Sequence, residues 1–455
     1  MTDDEMIVNE DVKTKKPTEP KTQKVYQKPI TKIVFIGILV LLLLIPMEMI
    51  KKLISERMWT AEDATKEVYQ SWSEPQTIVG PVLSLTLKTQ TKDAEGKAKF
   101  EYNTYNILPN DLKINGNIAT QELKRGIYEI VVYNAPIDIA GNFVYTDELK
   151  NIIGSFEDAE ITNASIYIGI SDLRGISEEV TMNFGEQHLN MNSGMPSFSL
   201  STSGLSSTVN LDSFLTGNTV NFSTKLALKG SKSIDFLPLG KTTSVALTSN
   251  CTTPSFQGSF LPANRNVTND GFTCDWKVVQ VNRNYPQVIG GQSYNKSVYD
   301  SAFGVNVLIP LQHYQKSMRT VKYAILIILL TFVVSFFVEM IQKKDIHPVQ
   351  YLLIGLALCL FYSLLVSLSE HILFTAAYII AALMTDGLIT CYLAGVLKIK
   401  KTALAIGGLL LALYAFIFVL LQLESYALLA GSIGLFVLLA VLMHFSQKIE
   451  WYKTN

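Results

Sequence analysis

Between residues 323 and 445 nearly every side chain is apolar, and the apolar residues fall into five blocks: 323–341, 349–369, 372–397, 403–423 and 426–445. A helix rises about 1.5 Å per residue, so about 20 residues cross the roughly 30 Å of hydrocarbon in a bilayer. Lipid offers the backbone no hydrogen bonds, and a helix satisfies its own. Five spanning helices are therefore expected here. A sixth is expected near the start, in KIVFIGILVLLLLIPMEMIKK, whose apolar run covers 33–47. Pro46, Met47 and Glu48 stand where a small-x-small cleavage site would be needed, so the segment reads as an uncleaved signal anchor over 33–54. Lys51 and Lys52 would then meet the headgroups.

Orientation follows from lysines in short loops. The N-terminal tail, 1–32, carries Lys13, Lys15, Lys16, Lys21, Lys24, Lys28 and Lys32. It is expected in the cytoplasm, and its Lys, Thr, Glu and Pro content predicts disorder. Six spans place both termini inside. The other inner segments agree, with Lys343 and Lys344, then Lys398, Lys400 and Lys401, then Lys448 and Lys453 in the tail 446–455. The short outer turns, at Glu370–His371 and at Glu424, have no lysine or arginine.

Residues 55–318 differ from the rest. After a short helical stretch near Ala61, segments such as VLSLTLKTQ, GIYEIVVYN, ASIYIGI and TTSVALTSN alternate apolar and polar residues, with Gly, Asn, Pro and Asp between them. That period predicts a large all-β, sandwich-like domain facing the periplasm, as one sandwich or two halves. The expected fold class is thus a membrane protein, an α-helical bundle of six transmembrane helices plus an all-β extracytoplasmic domain. A net charge of -1 argues against nucleic acid as a partner. The partners expected are the lipid bilayer and periplasmic or envelope proteins.

The chain has no Walker A loop, GxGxxG, HExxH, CxxC or GxSxG, and its histidines lack metal-ligand spacing. No cofactor is expected. Cys251 and Cys274 lie in the β domain, where an oxidising compartment would permit a disulfide. Asp386 sits midway along an apolar block, and a carboxyl at that depth marks an ion path by default. The blander readings are a neutral acid bonded to Thr385 or Thr390, or a helix break at Gly387. Glu370 and His371 stand in a tight outer turn where polar residues need no special role, although they could be coupled. Glu339 and Glu48 read as interfacial charges. Asp172 and Arg174, in SDLRGI, read as a strand-ending turn with a local ion pair. PSFQGSFLP reads as strands meeting at close quarters.

Several of these segments, taken in order, carry a family resemblance. They are IVGPVLSL at 78–85, RGIYE at 125–129, SDLRGI, PSFQGSFLP followed by Arg265, DGFTCDW, VNRNYPQ, KYAILIILLTF, IHPVQYLLIGLAL, SLSEH with Phe374, LLAGSIGLF, and the closing Glu450, Trp451 and Tyr452. In these the chain resembles the CreD (Cet) family of bacterial inner-membrane proteins, linked to cell envelope integrity and colicin tolerance. The resemblance implies an inner-membrane protein with a periplasmic domain and no defined reaction. Cys251, Cys274 and Asp386 are not part of the family pattern, whereas SEH is. A non-catalytic role in envelope integrity through a periplasmic interaction domain is the leading expectation. The alternative is a transporter or lipid-handling protein, with Asp386, Glu370 and His371 along a polar path.

Overall fold

The computed structural model describes residues 29–92, 98–155, 160–217, 219–291, 293–307, 312–342, 346–423 and 426–447. The lysine-rich tail to Lys28, Lys343 and Lys344, the turn at Glu424, and the end of the chain with Lys448, Glu450, Trp451, Tyr452 and Lys453 lie outside the described residues. The chain forms two compact units. One comprises Met1–Glu56 with His313–Asn455, and the other Arg57–Gln312.

The helix α1 (Pro29–Trp72) is 44 residues long and enters both units. A span and a separate short helix were expected. No Gly or Pro interrupts residues 47–72, and Glu, Lys, Arg and Ala there sustain helix, so the element runs on. Pro46 lies inside it.

The second unit continues with β1 (Gln76–Lys92), β2 (Ala98–Ile107), β3 (Asp111–Arg125), β4 (Tyr128–Phe143), the helix α2 (Asp147–Gly154) and β5 (Glu160–Ile170). Next are β6 (Thr181–Phe184), β7 (Gln187–Asn190), β8 (Asn192–Ser193), β9 (Gly204–Thr208), α3 (Asp212–Leu215), β10 (Val220–Ser231) and β11 (Ser233–Phe236). The remainder is β12 (Thr242–Ser249), β13 (Ser255–Gly258), β14 (Asn264–Thr268), β15 (Gly271–Val279), β16 (Val288–Gly290), α4 (Asn295–Asp300) and β17 (Phe303–Asn306).

One sheet runs β13-β17-β11-β1-β5-β9-β8, with β2 also on β1 and β16 on β2; the other runs β14-β15-β12-β3-β4-β10-β6-β7. Period-two sequences build both. In β10, Val220, Phe222, Thr224, Leu226 and Leu228 point inward and the residues between them outward. Most neighbours are antiparallel, but β1 pairs with β11, and β3 with β12, in parallel. Val82, Ile166 and Phe236 from the first sheet share one core with Ile114, Ile137 and Trp276 from the second. The unit is therefore a single sandwich, not two halves.

The first unit contains α5 (Gln312–Lys322) from His313 on, α6 (Ala324–Gln342), α7 (Pro348–Ser369), α8 (Phe374–Leu397), α9 (Lys400–Gln422) and α10 (Ala427–Ser446). Among the described residues five helices are long and apolar enough to cross a membrane: α1 and α6 to α9. The apolar stretch of α10, Leu429–Val441, is shorter. Aromatic contacts tie α7, α8 and α9 together, with the Phe361 ring 5.4 Å from Tyr378 and 4.6 Å from Tyr414. Gly434 of α10 meets Phe416 of α9, where a side chain would stand 2.1 Å from the ring.

Candidate functional site

In the β unit the residues singled out from SDLRGI form a hub around the end of α1. Asp172 accepts from the backbone N–H of Glu74 at 2.9 Å and from Ser73 Oγ at 3.3 Å. Arg174 grips the same carboxylate with two nitrogens, Nε at 2.9 Å and Nη2 at 2.8 Å, while its Nη1 donates to the carbonyl of Gln70 in the last turn of α1. A cation bonding the carbonyls at a helix C-terminus satisfies orphaned acceptors and complements the dipole. Burial by itself would raise the Asp172 pKa, but Arg174 and the two backbone donors outweigh it and take the carboxyl down to about 2. Gly175 permits the approach: a Cβ there would lie 2.3 Å from Lys229 O and 2.5 Å from Gln76 Nε2. RGIYE converges on the same helix, because Arg125 pairs with Glu67 at 3.0 Å. The expected local ion pair is present, and it also clamps α1.

Two other motifs resolve into packing. Phe256 of PSFQGSFLP meets Phe272 and Trp276 edge-on at 5.8 and 5.9 Å, and Trp276 Nε1 donates to Phe260 O at 3.1 Å. In VNRNYPQ, the buried Arg283 donates to Tyr285 O at 2.9 Å and Leu239 O at 3.1 Å, and its guanidinium lies over the Tyr285 ring. Sequence reasoning missed Arg283, since nothing local predicts which arginine is buried.

Cys251 and Cys274, between which a disulfide was expected, are both buried free thiols in the structure. Cys274 stands opposite Leu247 in the β12–β15 ladder.

In the helical unit, Glu370 and His371 part company. Glu370 Oε1 accepts from Tyr314 OH at 2.9 Å, fixing α5 to the turn between α7 and α8. His371 is exposed. Beside this junction the half-buried His313 lies against Tyr314, their ring centres 4.1 Å apart and their planes tilted by 45°. Burial lowers its pKa, against the upward pull of Glu370. Asp386 lies on α8 with Oδ1 buried and no partner among the described residues. Neither Thr385 nor Thr390 bonds that oxygen, and α8 is unbroken at Gly387.

Glu339, expected at an interface, is 3% exposed. It pairs with Lys32 of α1 and accepts from Ile346 N at 3.0 Å and Tyr351 OH at 2.8 Å. Its signal in the sequence was weak: one acid near a span end, with a cation 307 positions away. Among the described residues no three His, Cys, Asp or Glu cluster as metal ligands.

Apolar spans beside a large β-sandwich define an integral membrane protein with one substantial extramembrane domain. Comparison with known proteins then gives the family. The profile of "Inner membrane protein CreD" matches residues 28–452, and the chain belongs to that family. Over 422 residues it is 33% identical to the inner membrane protein CreD of Escherichia coli (strain K12), covering 91% of each chain. It is thus a multi-pass inner-membrane protein.

Proposed function

We propose that this protein supports cell envelope integrity through non-catalytic contacts of its β-sandwich with periplasmic or envelope proteins. In this reading α10 is the sixth span, both termini are cytoplasmic, and the sandwich is periplasmic. The observation that carries it is how the motif residues of the β unit are used. Asp172, Arg174 and Arg283 are all committed to holding the fold together. What remains for partners is the surface, where Val281 is 90% and Tyr102 61% exposed. The alternative, a transport or lipid path, needs Asp386, Glu370 and His371 to act in series. Glu370 is engaged with Tyr314, which weighs against it.

Photocrosslinking residues placed at Tyr102 and Val281 in intact cells test the proposal. Specific envelope-protein adducts are expected, together with stress tolerance that survives Glu370→Gln. Absence of adducts at both positions, with tolerance abolished by Glu370→Gln, would reject it.

A further inference from the structure

The helix bundle contains buried polar groups with no partner among the described residues. Tyr362 of α7 and Tyr414 of α9 are 0% and 1% exposed, yet neither hydroxyl is bonded within the described protein. Asp386 Oδ1 and Thr390 Oγ1 on α8 are likewise buried and unbonded.

These groups share one neighbourhood. Asp386 and Thr390 are a single turn apart, on the same side of α8. Thr390 abuts α9 at Gly407, where a Cβ would stand 2.1 Å from its Oγ1. Side chains on a helix lean toward its N-terminus, so Tyr414 of α9 reaches back toward Gly407. Tyr378 fixes that stretch of α9 by donating to Tyr414 O at 2.8 Å. Phe361 of α7 gathers the tyrosines, its ring centre 4.9 Å from that of Tyr362, 5.4 Å from Tyr378 and 4.6 Å from Tyr414.

Unbonded polar atoms in hydrocarbon are costly, and buried polar groups in native proteins nearly always find a protein or water partner. The chemistry of these four narrows the guest. Three hydroxyls and one carboxyl can both donate and accept. A hard cation would demand more carboxylate or carbonyl ligands than one aspartate supplies. Water satisfies two to four such groups at once.

We propose that Tyr362, Asp386, Thr390 and Tyr414 form an intramembrane hydration site in which Asp386 carries an exchangeable proton. In the resting form the Asp386 carboxyl donates to water, which bridges to the Tyr414 hydroxyl. On ionisation its O–H bond breaks heterolytically. The electron pair stays on the carboxylate oxygen, and the proton passes to the water. This site is independent of the envelope-contact reading and would stand if that reading failed.

Infrared spectra of the full chain in lipid nanodiscs test the proposal. At neutral pH a protonated-carboxyl stretch is expected that shifts on exchange into D2O, disappears in Asp386→Asn, and moves in Tyr414→Phe. Should Asp386→Asn fail to accumulate, the difference between wild type and Tyr414→Phe carries the same readout. A second measurement is the melting temperature. Tyr414→Phe and Tyr362→Phe should each lower it, because a hydrated hydroxyl is lost. An ionised carboxylate, a band that does not exchange with D2O, or tyrosine variants that melt at or above the wild-type temperature would each overturn the proposal.

Discussion

At the scale of single residues, Asp172 shows how much of a side chain's role depends on distant chain. Its neighbour Arg174 could be read as a partner from the sequence alone. The bonds from Glu74 N to Asp172 and from Arg174 to Gln70 O close over 98 and 104 positions, and no local pattern announces them. The same holds for Gly175, whose need for a missing Cβ is set by Lys229 on another strand. The Asp172 hub makes a prediction about acid. Its carboxyl titrates near 2 when folded against 3.8 when unperturbed, so the unfolded chain binds the proton more readily. The hub's electrostatic contribution is then complete above about pH 4 and lost as pH falls toward 2. Thermal unfolding of the β unit within the full chain should show wild type losing stability over that interval. Asp172→Asn should be less stable at neutral pH and decline less steeply between pH 4 and pH 2. Parallel curves for the two proteins would show that the carboxylate contributes nothing through its charge.

At the scale of elements, periodicity made most strands and spans legible, because burial on one face or in lipid imposes a local repeat. Pairing was not legible. The parallel partners β1 with β11, and β3 with β12, are joined by long crossovers whose routes leave no mark in the alternation. The continuation of α1 past its apolar run was missed because a change from apolar to polar composition was read as a change of element. Glu339 was misplaced for a related reason: its burial is imposed by α1 and α7, not by α6. The arrangement makes Lys32, Glu339 and Tyr351 a fastening between three helices. Removing one member of a buried ion pair strands the other charge, at a cost of about 3–5 kcal/mol, whereas removing both charges can be nearly neutral. Lys32→Met should therefore sharply lower the melting temperature of the protein in micelles. Lys32→Met with Glu339→Gln should recover most of the loss, since the amide oxygen still accepts from Ile346 N and the amide NH2 donates to the Tyr351 hydroxyl, which turns to accept. If the double variant is no better than the single one, the charge of Glu339 is not what destabilises it.

At the scale of the whole molecule, membership of the CreD family establishes the membrane, and the lysines carry the expectation for the side. Insertion machinery retains short basic loops in the cytoplasm, so a few cations carry the expectation for the side taken by the β unit, Arg57–Gln312. Lys398, Lys400 and Lys401 lie between α8 and α9 or begin α9, so the α7–α8 turn with Glu370 is expected on the opposite face. An odd number of spans would carry the two chain ends to different compartments, which makes the status of α10 decisive for the tail. The expectation can be checked with paired reporters. Alkaline phosphatase inserted at Gly217, where a side chain would meet only open space, should be active because it is exported. A fluorescent protein fused after Asn455 should mature, because that end stays inside. Active phosphatase with a dark C-terminal fusion would mean that α10 does not cross. An inactive phosphatase in a stably accumulated protein would put the sandwich in the cytoplasm, and the envelope-contact proposal would fall with it.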